Sequence, residues 1–390
     1  MPRLDPVKAA LLERDEEASW QRARELQKNL YDGGFAGICF PREYGGLGLS
    51  YEYKKAFDAE SLAYETPILL NVPSFAICCA TILDMGSKEQ KRTHIRAALR
   101  GDEVLVQLLS EPSGGSDLAG VITRAERRDG RWIINGAKTW STWAFAADYG
   151  LCLARTDWDV PKHDGLTMFL VPLRHPGITI NRIRQVNRSV EFCEEFLDDV
   201  DVGDDAVVGG PGKGWEVASR QLYHERRTMG DGSEYTSGPG IAEAQDVSID
   251  LMSLVDRTNQ GQSERVREMV GRALVHRAVH GQLSEHVYHA VASGALPSAA
   301  GSIIRLYMAE VHDVETDTAY AIAGSSAVVE DDAESLDIGT RYLGRQIASI
   351  GGGTTEMARN VIGERVLNFP REYAADRGVP FKQVRRNKPV

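Results

Sequence analysis

Two short segments carry residue types suited to holding a flat, polar-edged small molecule. The first is SEPSGGSD, Ser110 to Asp117. Its Gly114 and Gly115 allow close backbone approach, and the hydroxyls and amides around them could hold a phosphate or a heteroaromatic edge. The second is KTWST, Lys138 to Thr142. A tryptophan beside small hydroxyl residues can stack on a ring system while the hydroxyls bond its polar rim. Taken singly, one is an ordinary surface loop and the other an ordinary core tryptophan. Together, thirty residues apart and each at the end of a strand, they point to one shared site.

The elements that must position them follow from periodicity. Residues 1–100 read as helices. Asp5-Pro6 starts the first, Gly33-Gly34 ends it, a second runs from Ser50 through Phe57 and Leu62, and a third opens on a Ser87/Gln90 capping box. After Gly101 the period changes to that of strands. VLVQLL (104–109) is a short apolar run, and 121–128 meets 131–138 across Asp129-Gly130, a strong hairpin signal. Further strands are expected at 149–154, 166–171, 178–183 and 190–200. From Gly214 the pattern is helical again, over 214–230, 241–258, 264–293, 297–327 and 354–367. The expected class is α+β: an N-terminal helical domain (1–103), a middle β-barrel-like or sandwich domain (104–208) and a C-terminal helical bundle (209–390). Helices, then strands, then helices exclude a Rossmann fold or TIM barrel, which need strands and helices in alternation.

The 390 residues are 42% hydrophobic and 26% charged, enough apolar surface for a folded chain, and length predicts two or three domains. A net charge of −11 argues against nucleic acid or an anionic membrane surface as partner. The most apolar stretch, 68–83, is interrupted by Asn71 and Pro73 and falls short of the ~20 residues of a membrane span. Cys39, Cys78, Cys79, Cys152 and Cys193 are odd in number and scattered, without metal-ligand spacing. They read as reduced thiols of a cytoplasmic protein. Glu191 to Asp205 holds eight carboxylates and no Lys or Arg, and reads as a solvated strand and loop.

QLLSEPSGGSD resembles the flavin-loop signature of the acyl-CoA dehydrogenase family, and KTWST resembles its second signature. GSKEQK (86–91), DGRWIINGAK (129–138), EFLDDV (195–200) and SIGGGTTEMARNVIGERVL (349–367) are similar to further blocks of that family, in order. The resemblance implies FAD and an acyl-CoA thioester, and a C-terminal four-helix bundle. It implies that Leu108, Ser110, Gly115, Ser116, Trp140, Thr142, Thr354 and Glu356 contact the cofactor. Ser116, Arg226, Gly351 and Gly352 are implied on the substrate side.

Desaturation removes a proton from the α-carbon and a hydride from the β-carbon, so a carboxylate must face the flavin across the substrate. Most of the family places a Glu where this chain has Gly352, which leaves that position without a base. A minority carries the base on a helix of the C-terminal bundle immediately before an arginine, and Glu225-Arg226 in QLYHERRTMG matches it. The resemblance thus implies that Glu225 takes the proton, flavin N5 takes the hydride, and the Gly352 amide donates to the thioester oxygen. A Glu on a charged helix is also commonly just solvated. His224, beside it, faces another side of the helix and reads as a core or capping residue. Three consecutive glycines leave an open wall, which implies a bulky, branched or sterol-side-chain acyl group.

The resemblance departs in two places. DRTNQGQSERVRE (256–268) offers Arg257, Arg265 and Arg267 but not the family's Arg-x-x-Phe-Gly. The usual glycine-rich turn against the FAD phosphates is reduced to the acidic AGSSAVVEDDAES (323–335). One reconciliation is an α2β2 heterotetramer with a related chain, against a homodimer or homotetramer; another is a non-catalytic subunit. Electron-transfer flavoprotein or a similar acceptor is the implied electron partner, and an oxidase or monooxygenase of the same fold is the alternative chemistry. The basic tail 381–388 offers a subunit or CoA-phosphate contact, or none.

Overall fold

The computed structural model describes residues 2–3, 16–228, 233–238, 249–329 and 333–384; the helix start expected at Asp5-Pro6 and most of 241–250 lie outside them. Helix α1 (Glu16–Asp32) buries Trp20, Ala23, Leu26 and Leu30 at helical spacing. Helix α2 follows (Tyr51–Ser61). The apolar run 68–85 (α3) is interrupted by extended backbone at Val72 and packs Phe75, Ile77, Cys78, Cys79 and Ile82 into the core. Helix α4 (88–99) opens on the expected capping box: Ser87 Oγ accepts from the Gln90 amide at 3.1 Å, and Gln90 accepts from the Ser87 amide at 2.9 Å.

Strands β1 (Leu105–Leu108), β2 (Arg124–Arg128), β3 (Arg131–Thr142), β4 (Tyr149–Arg155), β5 (Leu166–Pro172), β6 (Ile178–Arg182), β7 (Phe192–Val202) and β8 (Val207–Val208) form one sheet. Its order is β6-β7-β3-β2-β4-β5-β8, with β1 parallel to β4. The β2–β3 hairpin turns at Asp129 and Gly130, both with left-handed φ (52° and 79°), as an Asp-Gly turn of this type requires. Strands β4 and β5 read as continuous apolar runs because both of their faces are buried.

Helix α5 (Gly214–Thr228) packs on β5 and α3. It is followed by α6 (Leu251–Arg257), α7 (Glu264–Ala292), α8 (Gly301–Ala323), α9 (Ala333–Gly344), α10 (Ile347–Ile350) and α11 (Thr355–Val361). Contacts divide the chain into two compact units. One gathers the N-terminal helices, the sheet, α5 and the C-terminal segment (within 1–184, 190–245 and 374–390). The other holds 185–189 and 246–373. In the second unit, Leu254, Val255, Val266, Val270, Ala273, Ala319 and Ile322 form the core of α6, α7 and α8.

The described start of the basic tail docks on its own chain. Phe381 is buried with the Arg155 guanidinium 3.4 Å from its ring, its amide bonds Val160 O at 2.9 Å, and Lys382 pairs with Asp159. The acidic 330–332 of the expected phosphate turn lie outside the described residues.

Candidate active site

The two signature loops are joined at their base by buried charge. Lys138, fully buried on β3, donates to Leu109 O (3.1 Å), Leu153 O (2.7 Å) and Glu111 Oε1 (3.0 Å). Glu111 also accepts from the amides of Ile122 (2.7 Å) and Thr123 (2.8 Å). Burial works to raise the Glu111 carboxyl, but Lys138 and these amides outweigh it and hold it below its ordinary value. The Thr139 amide bonds Ser110 O at 3.0 Å, which ties the start of the 110–117 loop to the end of β3. At the far end of that loop, Asp117 pairs with Lys162, which also holds Asp376.

Above this base the predicted contact residues are presented. The β3–β7 register slips between Thr139 and Ser141, and Trp140 adopts a left-handed φ of 64° there. The bulge turns its indole outward, 57% exposed, with Phe192 edge-on at 5.8 Å. Trp140 is therefore not a core tryptophan. An outward-facing indole held by a strained backbone is what a stacking surface needs. Ser110 and Thr142 are half-buried, and Gly115 and Ser116 are exposed. A methyl at Gly115 would come within 3.2 Å of Ser110 Oγ, so that glycine keeps the serine hydroxyl open. The Leu108 side chain is fully buried against Gly150, so its backbone is what it can offer a ligand.

Glu225 lies in the same unit. Helix α5 buries Val217, Ala218, Gln221 and His224, and turns Glu225 half inward. Its Oε2 accepts from Gln107 Nε2 at 2.9 Å. Burial raises the Glu225 carboxyl above its ordinary value, against the opposing pull of the Gln107 hydrogen bond and the Arg226 charge. Arg226 itself is exposed. His224 is buried as expected of a core residue, its Nε2 2.8 Å from Asp84 Oδ2, which Arg220 also pairs. That cluster fixes α5 against α3.

Gly351, Gly352, Thr354 and Glu356 belong to the other compact unit. Gly352 and Gly353 have left-handed φ of 68° and 100°, which only glycine adopts without strain. The Arg305 Nη2 donates to Gly351 O (2.5 Å) and Gly353 O (3.3 Å), bracing the loop. Thr354 Oγ1 caps α11 by accepting from the Met357 amide at 3.1 Å, and Glu356 is exposed near Arg359.

Three groups escaped the sequence reading: the buried Lys138 and Glu111, and the half-buried Gln107. Gln107 had a signal, as the one polar residue in VLVQLL. Lys138 and Glu111 had none, because their partners are distant in sequence. Glu195 corrects the solvated reading of the acidic run: the alternation of β7 turns it inward, fully buried, with Oε2 accepting from Ser141 Oγ at 3.0 Å. Its other carboxylates fit that reading better, with Asp199, Asp201 and Asp204 at the surface near arginines.

Three family profiles cover the chain in order: acyl-CoA dehydrogenase N-terminal domain at 5–102, middle domain at 107–200 and C-terminal domain at 212–367. The chain is 32% identical over 360 residues to acyl-CoA dehydrogenase IpdE1 of Mycobacterium tuberculosis, covering 92% of this chain and 90% of that one. It is 33% identical to FadE34 of the same organism, over 88% of this chain and 46% of FadE34. Among solved structures, the Tcur3481-Tcur3483 steroid ACAD superposes with a TM-score of 0.73 at 26% identity, with 90% of each chain covered. The ChsE4-ChsE5 complex from M. tuberculosis shares the fold, with a TM-score of 0.72 at 23% identity and 94% of each chain covered. Three profiles in order and a relative 32% identical over nine-tenths of both chains show that the chain belongs to the acyl-CoA dehydrogenase family of oxidoreductases.

Proposed function

We propose that this enzyme desaturates an acyl-CoA thioester between its α and β carbons, with Glu225 as the base. The observation that carries the reading is the state of Glu225. Its carboxyl is partly withdrawn from water, its proton affinity is raised, and one oxygen is held by a neutral donor from β1. A base must hold its proton after taking it, and a raised affinity serves that end.

The residues fit a flavin. Trp140 offers an outward indole, Gly114 has open space around it, and Ser110 and Thr142 line the adjoining strand ends. FAD, held by these groups with Ser116 and the Leu108 backbone, supplies when bound the acceptor for the β-hydrogen as hydride. The chain's own part is to remove the α-proton at a Glu225 carboxylate oxygen. The Gly352 amide polarises the thioester carbonyl, which acidifies that proton. Thr354 and Glu356 are proposed on the cofactor side, and Arg226 and Gly351 on the substrate side. The acyl group is proposed to be bulky or branched, a sterol side chain included; the similarity to a steroid ACAD supports this.

Glu225→Gln tests the base. Anaerobic bleaching of the flavin by the fastest thioester in a panel from butyryl-CoA to steroid side-chain CoA esters is expected to slow by ~10²–10⁴-fold. Flavin content should be unchanged. An unchanged rate would reject Glu225.

A second reading concerns assembly. Structures similar to this chain include two named for pairs of chains. We propose that this chain is likewise the catalytic member of an α2β2 assembly whose partner completes the FAD site. An electron-transfer flavoprotein is the proposed acceptor, in a cytoplasmic setting. Purified alone, the chain is then expected to bind flavin weakly and to gain it on co-expression with its partner.

A further inference from the structure

We propose that Gln107 is a positioning residue for Glu225, setting both the orientation of its carboxyl and the pH at which that carboxyl is free to accept a proton. The inference rests on the reading of Glu225 as base, and deepens it.

Gln107 is anomalous where it stands. Leu105, Val106 and Leu108 on the same strand are fully buried, and β1 lies inside the sheet unit beside β4. Gln107 itself is half-buried, and an amide drawn partly out of water between apolar neighbours calls for a polar partner. That partner is Glu225, 118 residues away, at 2.9 Å. Oε2 is thereby occupied, and Oε1 carries no hydrogen bond among the described residues. The arrangement holds the carboxyl at one oxygen and presents the other.

The choice of an amide also has a chemical consequence. A lysine or arginine in place of Gln107 would pair fully with the carboxylate and oppose its protonation. An apolar residue would leave the carboxylate without a donor and its proton affinity higher still. The carboxamide lies between these limits and has a further property. It donates an N–H to the carboxylate, and after a half-turn its carbonyl can accept the O–H of the acid form. Glu225 can therefore be bonded before and after it gains the proton.

Among the described residues, three groups act on Glu225 or feel its charge. From α3, Cys78 is a fully buried thiol whose own acidity is suppressed, first by burial, then by Cys79 and by Glu225, so it stays neutral. From α5, Arg226 is the neighbouring cation, and from β1 comes Gln107.

The test uses the full-length holoenzyme and infrared difference titration of the buried carboxyl. The band is assigned by its loss in Glu225→Gln. In Gln107→Leu the Glu225 midpoint is expected to rise by about one to two pH units, the size of a lost hydrogen bond to a charged acceptor. Gln107→Glu, which sets two carboxyls against each other, should raise it further. Gln107→Met serves if Gln107→Leu does not fold. An unmoved midpoint in a folded variant overturns the proposal, because a merely structural glutamine would alter stability without moving this titration. The acid limb of the flavin-bleaching rate should follow the midpoint. A shifted midpoint with an unshifted limb would leave Gln107's hold on Glu225 standing and reject Glu225 as the base.

Discussion

A carboxyl placed between strands responds to pH in a way that its exposed neighbours do not. Glu195 is fully buried, receives one hydrogen bond from Ser141, and has no partner for Oε1 among the described residues. Burial, partly offset by Ser141 and Lys138, pushes its pKa up from 4.5 to about 8. Between those values the native chain keeps a proton that the unfolded chain releases, so this residue lowers stability as pH rises from about 4.5 toward 8. The shift corresponds to a few kcal/mol at the alkaline end, roughly. Glu195→Gln removes the titration. Its melting temperature relative to the parent is expected to climb steadily from pH 5 to pH 8. A difference independent of pH would show that Glu195 does not hold the proton. The sequence hid this residue because a run of carboxylates suggests solvent, whereas strand alternation decides each side chain separately.

Elements were far more legible than the contacts between them. The Asp129-Gly130 turn, the Ser87/Gln90 box and the apolar runs of β4 and β5 are local signals, and the structure realises each. Trp140 was legible as a candidate from its motif, but its outward aim depends on a register slip against β7, a strand 50 residues on. The same holds for the 351–353 loop. Three glycines announce an unusual backbone, but nothing local announces that Arg305, on α8, ties two of its carbonyls. Arg305 Nε and Nη1 are buried without partners among the described residues, and burial lowers its pKa, so this guanidinium is held at some expense of solvation. Its carbonyl contacts are then what fix the loop. Arg305→Met is expected to speed amide hydrogen exchange several-fold in a peptide spanning 347–358, with α7 unaffected. Equal exchange in parent and variant would mean that the glycine loop holds its shape unaided.

At the scale of the molecule, the exposed apolar residues raise the question of assembly. On α7, Leu274, Val275 and Val279 are 41%, 61% and 40% exposed, and Tyr288 further along is 49% exposed. Single exposed apolar side chains need no explanation, but several on one long helix are typical of a surface that meets another subunit. The small core of the second unit makes the same point, because among the described residues its helices bury few large side chains against one another. The proposed assembly with chains of the same fold gives that face its occupant. Light scattering on the purified chain, alone or with its proposed partner, is therefore expected to give a mass of at least two subunits. Val275→Glu with Val279→Glu should shift it to the monomer, since two carboxylates would have to be desolvated at the contact. The sheet unit, which holds Trp140, Lys138 and Glu225, should keep its fold in that variant, measured by the near-ultraviolet dichroism of its tryptophans. Were the double variant to retain the parent mass, the α7 face would not be the contact, and assembly would have to run through other surfaces.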